Sequence, residues 1–151
     1  MLRLTRKLMF AIEAVVDIAY NASDVPVQSK DIAERQEIPR RYLEQVLQRL
    51  VRAGILRGVR GPRGGYRLAR ERRRITLGEI TRIVSAMEGT MDPLESSTGP
   101  DLGQKVLRPI WQDLQDTALE RLDKISIEDL CARARDAGVE CAAQDQFDFM
   151  I

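Results

Sequence analysis

The sequence predicts a mainly α-helical fold with one small β-hairpin, followed by a long C-terminal helix. Apolar residues recur at intervals of three and four along several short segments of the N-terminal half, as on amphipathic helices. A glycine-rich loop, RGPRG at residues 60–64, separates two short strand-like runs. A longer apolar stripe runs through residues 102–125, which predicts the C-terminal helix.

The chain begins with one longer predicted helix, over residues 5–22, and a short second helix. The apolar face of the first helix consists of Leu8, Ala11, Ile12, Val15, Val16 and Ala19. Ser29 is interpreted as the N-cap of the second helix, with the sequence KDIAERQ. A tight turn at EIP then puts Pro39 at or near the first position of a third helix, where the missing N–H of proline costs no hydrogen bond.

The third predicted helix is RRYLEQVLQRLVRA, residues 40–53. Its buried stripe is Leu43, Val46, Leu47 and Leu50. Gly54 follows at the position where glycine commonly ends a helix. Two short helices joined by a tight turn, with polar residues at the start of the second, are typical of a helix-turn-helix.

A β-hairpin is predicted directly after this pair of helices. The runs GILRGV and GYRLAR flank the loop RGPRG, which therefore forms the hairpin tip. Glycines let backbone amides approach an anion, and arginine offers bidentate donors to phosphate. The loop lacks the Lys-Ser/Thr pair of a nucleotide-binding P-loop. In this position it predicts a wing that contacts DNA phosphates or the minor groove.

The charge is divided unevenly along the chain. Residues 1–90 contain 18 Lys and Arg against 10 Asp and Glu, a net charge of +8, whereas residues 91–151 contain 6 against 13, a net of −7. Twelve arginines fall within residues 40–74. This asymmetry indicates that the N-terminal half faces nucleic acid and that the C-terminal half has a different function.

Composition excludes several classes of function. The chain has no histidine and two cysteines, which removes most zinc sites, the commonest general base and any disulfide framework. No apolar run approaches the ~20 residues of a membrane span, and no signal peptide is recognised. We therefore expect a cytoplasmic protein that is not an enzyme and has no membrane partner.

Three stretches resemble the family of bacterial winged-helix regulators that includes IscR, NsrR, RirA and CymR: LRLTRKLMFAIEAVVDIAY, DIAERQEIPRRYLEQVLQRLVRAGIL and VRGPRGGYRLAR. A fourth, RPIWQDLQDTALERLDKISIEDL, is similar to the family's long dimerisation helix and the short helix after it. The resemblance implies a homodimer that binds a palindromic operator in double-stranded DNA, usually as a repressor. It also implies a winged helix-turn-helix DNA-binding domain over 1–90, a sensor-type loop over 91–105, and dimerisation and C-terminal helices over 106–151.

The sensor-type loop departs from the family pattern. Many members carry three cysteines there that hold an iron-sulfur cluster, but the loop MDPLESSTGPDLGQK contains none, including at Ser96 and Ser97. Arg108 stands where some relatives have a histidine. Cluster irons take thiolate or, less often, imidazole ligands, so no cluster, metal or other cofactor is predicted. Whether the loop covers a pocket for a small-molecule effector or has no sensing role stays open.

The residues predicted to bind DNA come from the second helix, the third helix and the wing: Gln28, Ser29, Arg40, Arg41, Tyr42, Glu44, Gln45, Arg49, Arg60, Arg63, Gly64, Gly65 and Tyr66. Arginine can pair with guanine, glutamine with adenine, and glutamate can accept from cytosine. The wing arginines suit a narrow, electronegative minor groove. Glu44 either discriminates bases and positions a neighbour, or pairs with Arg40 or Arg41.

The residues predicted to form a dimer lie on the long helix: Leu107, Ile110, Trp111, Leu114, Ala118 and Leu122. A helix of about 20 residues is longer than a compact winged domain needs, so its expected partner is the same helix of a second copy. Packing against the first helix of the same chain is a further expectation.

Two other functions stay open at this stage. One is an adaptor that binds proteins through a winged fold, and the other is a redox-sensing regulator that uses Cys131 and Cys141. Against the second, a single cysteine on a helix is usually a small buried hydrophobe. The nearby acids Glu128, Asp129 and Glu140 would also raise a thiol pKa.

Overall fold

A computed structural model describes residues 4–89 and 98–142 of the chain. This part is mainly α-helical with one antiparallel hairpin, as predicted. Its elements are α1 (Arg6–Tyr20), α2 (Ser29–Gln36), α3 (Arg40–Arg52), β1 (Leu56–Val59), β2 (Gly65–Leu68), a 3₁₀ turn (Arg72–Arg74), α4 (Leu77–Glu88), a π-helical segment (Leu102–Leu107), α5 (Arg108–Asp123) and α6 (Ile127–Asp136). None of the helices in these ranges is long and apolar enough to cross a membrane.

The ends of the first helices differ slightly from the sequence prediction. Thr5 caps α1 by accepting a hydrogen bond from the N–H of Leu8. Ser29 is the first residue of α2 rather than its N-cap, and the N-cap residue Gln28 makes no capping bond with its side chain. Glu37 ends α2 in the left-handed region at φ 52°, and Pro39 is the N-cap residue of α3. The tight turn of the helix-turn-helix is thus present.

One hydrophobic core serves all the described helices of the winged domain. The predicted stripe of α3 is fully buried within it. Ile127 and Cys131 of α6 belong to the same cluster. Helix α6 therefore packs into the core of the N-terminal half, although it lies beyond residue 106.

The hairpin pairs Leu56 with Leu68 and Val59 with Gly65. Its second strand also exchanges two backbone hydrogen bonds, of 3.0 and 2.8 Å, between Val27 and Tyr66. A Cβ on Gly65 would lie 2.4 Å from the carbonyl oxygen of Val27. Glycine is required there because the two backbones approach so closely. The wing is consequently joined to the segment that leads into α2.

The long C-terminal helix is present over much of the predicted range 102–125, but its first part is not α-helical. The N–H of Arg108 donates to the carbonyl of Gly103, five residues earlier, which is the π pattern. Pro109 is the second residue of α5, where its missing N–H is tolerated.

Helix α5 packs on α4, whereas the sequence analysis expected packing on the first helix. Arg82 on α4 donates two hydrogen bonds, of 2.6 and 2.8 Å, to the carboxylate of Asp123. This guanidinium lowers the pKa of Asp123. A Cβ on Gly78 would come within 1.9 Å of the same carboxylate, so glycine leaves room for the junction.

Candidate nucleic-acid interface

The start of α2, the start of α3 and the hairpin tip surround one open cavity of about 770 Å³, here called the wing groove. It is lined by seven of the residues predicted to bind DNA: Gln28, Ser29, Arg40, Arg60, Gly64, Gly65 and Tyr66. Arg63 is exposed in the loop between the strands. The structure thus brings together predicted residues from three separate elements.

Four other predicted residues lie on the exposed face of α3: Arg41, Glu44, Gln45 and Arg49. The spacing of four between Arg41 and Gln45, and between Gln45 and Arg49, puts these side chains on one side of the helix. Within the described ranges no ion pair joins Glu44 to Arg40 or Arg41. The carboxylate of Glu44 is therefore exposed among cations. The structure does not show the ion pair with Arg40 or Arg41 that was one of the two interpretations of this residue.

Tyr42 has a different setting from its neighbours on α3. Its hydroxyl donates a 2.8 Å hydrogen bond to the carbonyl of Lys7, and its ring lies 5.9 Å from that of Phe10. Burial raises the pKa of Tyr42 to about 12. The side chain therefore fastens the start of α3 to α1, and its hydroxyl proton is already engaged in the hydrogen bond to Lys7.

Gly64 and Gly65, also predicted to bind DNA, have a backbone role in the structure. A Cβ on Gly64 would lie 2.3 Å from the carbonyl oxygen of Val59, so a larger residue does not fit without a shift of the tip. Together with Gly65 it allows the hairpin to close tightly. These glycines shape the groove whether or not they touch a ligand.

The basic side chains of this region fall into two groups. Arg67 donates to the carbonyls of Ser23 and Asp24. Arg70, Arg72 and Arg73 pair with acidic side chains. In the parts of the chain that the structure describes, the second group makes no ion pair; it includes Lys30, Arg40, Arg41, Arg49, Arg52, Arg57, Arg60 and Arg63. Except for Arg57 on β1, these cations lie on the wing groove, the hairpin tip or the open face of α3, so this surface is suited to a polyanion.

Sequence reasoning missed several residues of this surface. Lys30 lines the wing groove from the first turn of α2. Gln48 and Arg52 share the exposed face of α3. Helical spacing from Arg41 was a signal for both of these, since positions seven and eleven residues along return to the same side of a helix.

A second exposed surface lies on the long helix. Of the residues predicted to form a dimer, Leu107 is 49% exposed, Ile110 50%, Trp111 46% and Leu114 59%. Ala118 and Leu122 are half-buried. Leu102 and Val106, which the sequence reasoning missed, extend the exposed apolar stripe along the π-helical segment. A contiguous exposed apolar stripe is typical of surfaces that contact another protein chain.

The two cysteines are free thiols in different settings. Cys131 is fully buried, as the interpretation of it as a small hydrophobe predicted. Burial is the main cause that raises the pKa of its thiol, and Glu128 adds to the rise while Arg72 opposes it. Cys141 is half-buried, and its thiol donates to the carbonyl of Tyr20. Neither setting favours a reactive thiolate pair.

Comparison with known proteins gives a consistent result. Residues 4–133 match the model of the Rrf2 family, described as an iron-dependent transcriptional regulator. The transcriptional regulator IscR of Cronobacter sakazakii is 37% identical over 132 residues, which cover 85% of this chain and 80% of that protein. IscR of Escherichia coli O1:K1 shows the same identity and coverage.

Two solved structures are similar over nearly their whole length. T. potens IscR superimposes with a TM-score of 0.73 at 34% identity, covering 95% of this chain and 96% of that one. CymR of B. subtilis, the global cysteine regulator, gives a TM-score of 0.69 at 30% identity, covering 88% and 98%. The chain therefore belongs to the Rrf2 family, as an IscR-like transcriptional regulator with a winged-helix fold.

Proposed function

We propose that the chain is a homodimeric, sequence-specific DNA-binding regulator that acts as a repressor on a palindromic operator. The observation that supports this best is the set of cations on α2, α3 and the wing that make no ion pair within the described ranges. Each neutralised phosphate releases counterions, so such a surface binds a duplex. The relatives are named as transcriptional regulators, which agrees with this use of the surface.

The two parts of the surface have different tasks. Arg41, Glu44 and Gln45 lie in the first two turns of α3, the part of a recognition helix that enters the major groove. Their side chains have the donors and acceptors that distinguish base pairs. Arg60 and Arg63 lie at the hairpin tip, which can reach the narrow minor groove.

Single alanine substitutions test this division. Arg41→Ala or Gln45→Ala should cost about 1 to 3 kcal/mol on the preferred operator and much less on a random duplex. Arg60→Ala or Arg63→Ala should weaken both duplexes and lower the salt slope by about one for each phosphate that is no longer neutralised. Fluorescence anisotropy at several salt concentrations measures both quantities, on an operator first selected from genomic DNA.

Arg133→Ala is the matched control, because it removes the same charge from an exposed position on α6. Equal reductions in affinity on both duplexes for the α3 variants would show that the bases are read elsewhere. If the chain were instead an adaptor for proteins, the affinity of the parent protein for a duplex would not decrease steeply with salt concentration.

Repression through a palindrome requires two copies. The exposed stripe on the π-helical segment and α5 supports a seam with a second chain, because its large side chains are about half-exposed in one chain alone. Two winged domains joined there would present their α3 helices to half-sites about one or two DNA turns apart.

The iron in the family's description does not fit the ligands of this chain. Of the sensor-type loop, residues 91–97, with Ser96 and Ser97, lie outside the described part, but the sequence has no cysteine in 91–105 and no histidine anywhere. In the ranges that the structure describes, no cluster of His, Cys, Asp and Glu side chains could hold a metal ion. Arg108 donates instead to the side chain of Gln104 at 2.9 Å.

The protein is therefore expected to purify without colour and to bind DNA without a cluster. Anaerobic purification followed by absorption spectroscopy and assays for iron and acid-labile sulfide measures this. A visible charge-transfer band with stoichiometric iron and sulfide would contradict the expectation.

A further inference from the structure

A second cavity, of about 680 Å³, lies between the hairpin, the end of α1, the 3₁₀ turn and α6, and is here called the hairpin cavity. It is separate from the wing groove, since Tyr66 is the one residue that lines both. Its volume is within the range of about 300 to 1,000 Å³ that is usual for small-molecule sites. The side chains around it therefore decide which class of molecule it suits.

Two arginines lie directly opposite each other on the hairpin and line this cavity. Arg57 of β1 is the register partner of Arg67 of β2. The Cβ atoms of such a pair are about 5 Å apart, and like charges at this distance destabilise a hairpin. Arg67 donates to two backbone carbonyls, whereas Arg57 is exposed and its side chain makes no ion pair or hydrogen bond within the described ranges. An anion between the two guanidiniums would remove their repulsion and would accept from Arg57.

The other arginines of the hairpin cavity each pair with a glutamate: Arg70 with Glu79, Arg72 with Glu128 and Arg73 with Glu71. These side chains balance one another, so the excess positive charge of the cavity lies at Arg57 and Arg67. A guanidinium presents a planar fork of donors that matches the two oxygens of a carboxylate. The two opposed arginines are therefore suited to one negatively charged group.

The rest of the cavity wall is largely apolar. Ile18 and Ala19 of α1 line it and belong to the hydrophobic core, and Leu68 of β2 is half-buried beside them. Apolar surface of this kind attracts hydrocarbon and offers no donor to a second anionic group. The cavity thus combines one site for a negative charge with a wall for an apolar body, whereas a DNA strand would bring only phosphates and sugars to it.

We propose that the hairpin cavity binds a small organic carboxylate with an apolar body. The carboxylate accepts hydrogen bonds from Arg57 and Arg67, and the apolar body contacts Ile18, Ala19 and Leu68. The proposal goes beyond the proposed function and does not depend on it, because the site requires no DNA and no second chain.

Titration of the isotope-labelled full chain with octanoate or cinnamate, followed by amide NMR shifts, tests the site directly. We expect saturable shifts for either probe, centred on Ala22, Arg57 and Leu68, with a Kd of about 1 mM, which is ordinary for molecules of this size. Octanamide and cinnamamide have the same shapes without the charge, and inorganic phosphate has the charge without the apolar body. Each of these should bind at least about fivefold more weakly, because each lacks one of the two interactions.

Arg57→Gln should weaken binding of both carboxylates about tenfold, as expected for one charge-assisted hydrogen bond. Arg133→Gln removes the same charge from an exposed position on α6 and should leave the Kd unchanged. Circular dichroism checks that both variants are folded.

Several results would overturn the proposal: no saturable shifts with either carboxylate, equal affinities for a carboxylate and its amide, or an Arg57→Gln variant that binds as the parent protein does. Shifts centred on the exposed stripe of α5 would do the same. A lower salt slope of duplex binding for Arg57→Gln would assign this arginine to the DNA surface instead. A protein that binds the carboxylates at Arg57 but binds no duplex would contradict the proposed function alone.

Discussion

Replacing Ile110 by aspartate is expected to convert the proposed dimer into a folded monomer. Ile110 is 50% exposed in a single chain, so the new carboxylate stays hydrated there and the core is untouched. In the dimer it would be an unpaired charge in an apolar seam. A penalty of about 3 kcal/mol raises the dissociation constant of the dimer more than about 100-fold. Sedimentation velocity measures the shift.

The affinity for the operator should decrease when the dimer dissociates, because each half-site then binds a separate winged domain. Linked binding gains about 10² to 10⁴ in affinity, and the monomer loses this gain. Leu114→Asp should act in the same way, since Leu114 is on the same stripe. Gln112→Glu adds a charge to an exposed position of α5 outside the stripe and is the control. A variant that stays dimeric and folded would place the seam elsewhere.

Replacing Arg35 by alanine is expected to lower the free energy of unfolding by about 3 to 5 kcal/mol. Asp17 is 2% exposed on α1, and its carboxylate accepts from Arg35 at 2.9 and 2.8 Å and from Gln36 at 2.8 Å. Without the guanidinium, a buried carboxylate keeps one amide partner. Urea denaturation followed by circular dichroism measures the decrease in stability.

Arg82→Ala provides the comparison for this variant. Its pair with Asp123 has the same bidentate geometry, but the side chain of Arg82 is 52% exposed. Water replaces the guanidinium at such a site, so the expected cost is below about 1 kcal/mol. Equal destabilisation of the two variants would show that the burial of Asp17 does not determine how much its ion pair with Arg35 contributes to stability.

Local pattern was enough to predict α1, α2, α3 and the hairpin, whereas α4 was not predicted. These features depend only on residues close together in the sequence: the apolar stripe of α3, Gly54 at the end of α3, and the glycine-rich hairpin tip. The sequence therefore shows them directly. The pairing of Val27 with Tyr66 was not predicted, because a two-residue bridge between positions 39 apart leaves no periodicity. The place of α6 in the core was missed for the same reason, since burial of Ile127 depends on distant helices.

The candidate site was predicted in part. Charge composition pointed to residues 40–74 as a whole, but it treated all twelve arginines there as equivalent. The structure separates them by their partners, because Arg67 and Arg72 are held by a carbonyl and a carboxylate that only the fold brings near. Tyr42 is similar, since its bond to Lys7 joins two helices. Such long-range pairings decide which polar groups remain free, and a single sequence does not show them.

The bridge between Val27 and Tyr66 also limits how the protein can adapt to its target. Because Tyr66 of β2 is hydrogen-bonded to the segment that leads into α2, the hairpin and α2 are held together up to the pair of Val59 and Gly65. Only the five residues between that pair are left to adjust to grooves of different width. Under the proposed function, operator variation is then expected to be tolerated mainly at the base pairs beneath this short tip.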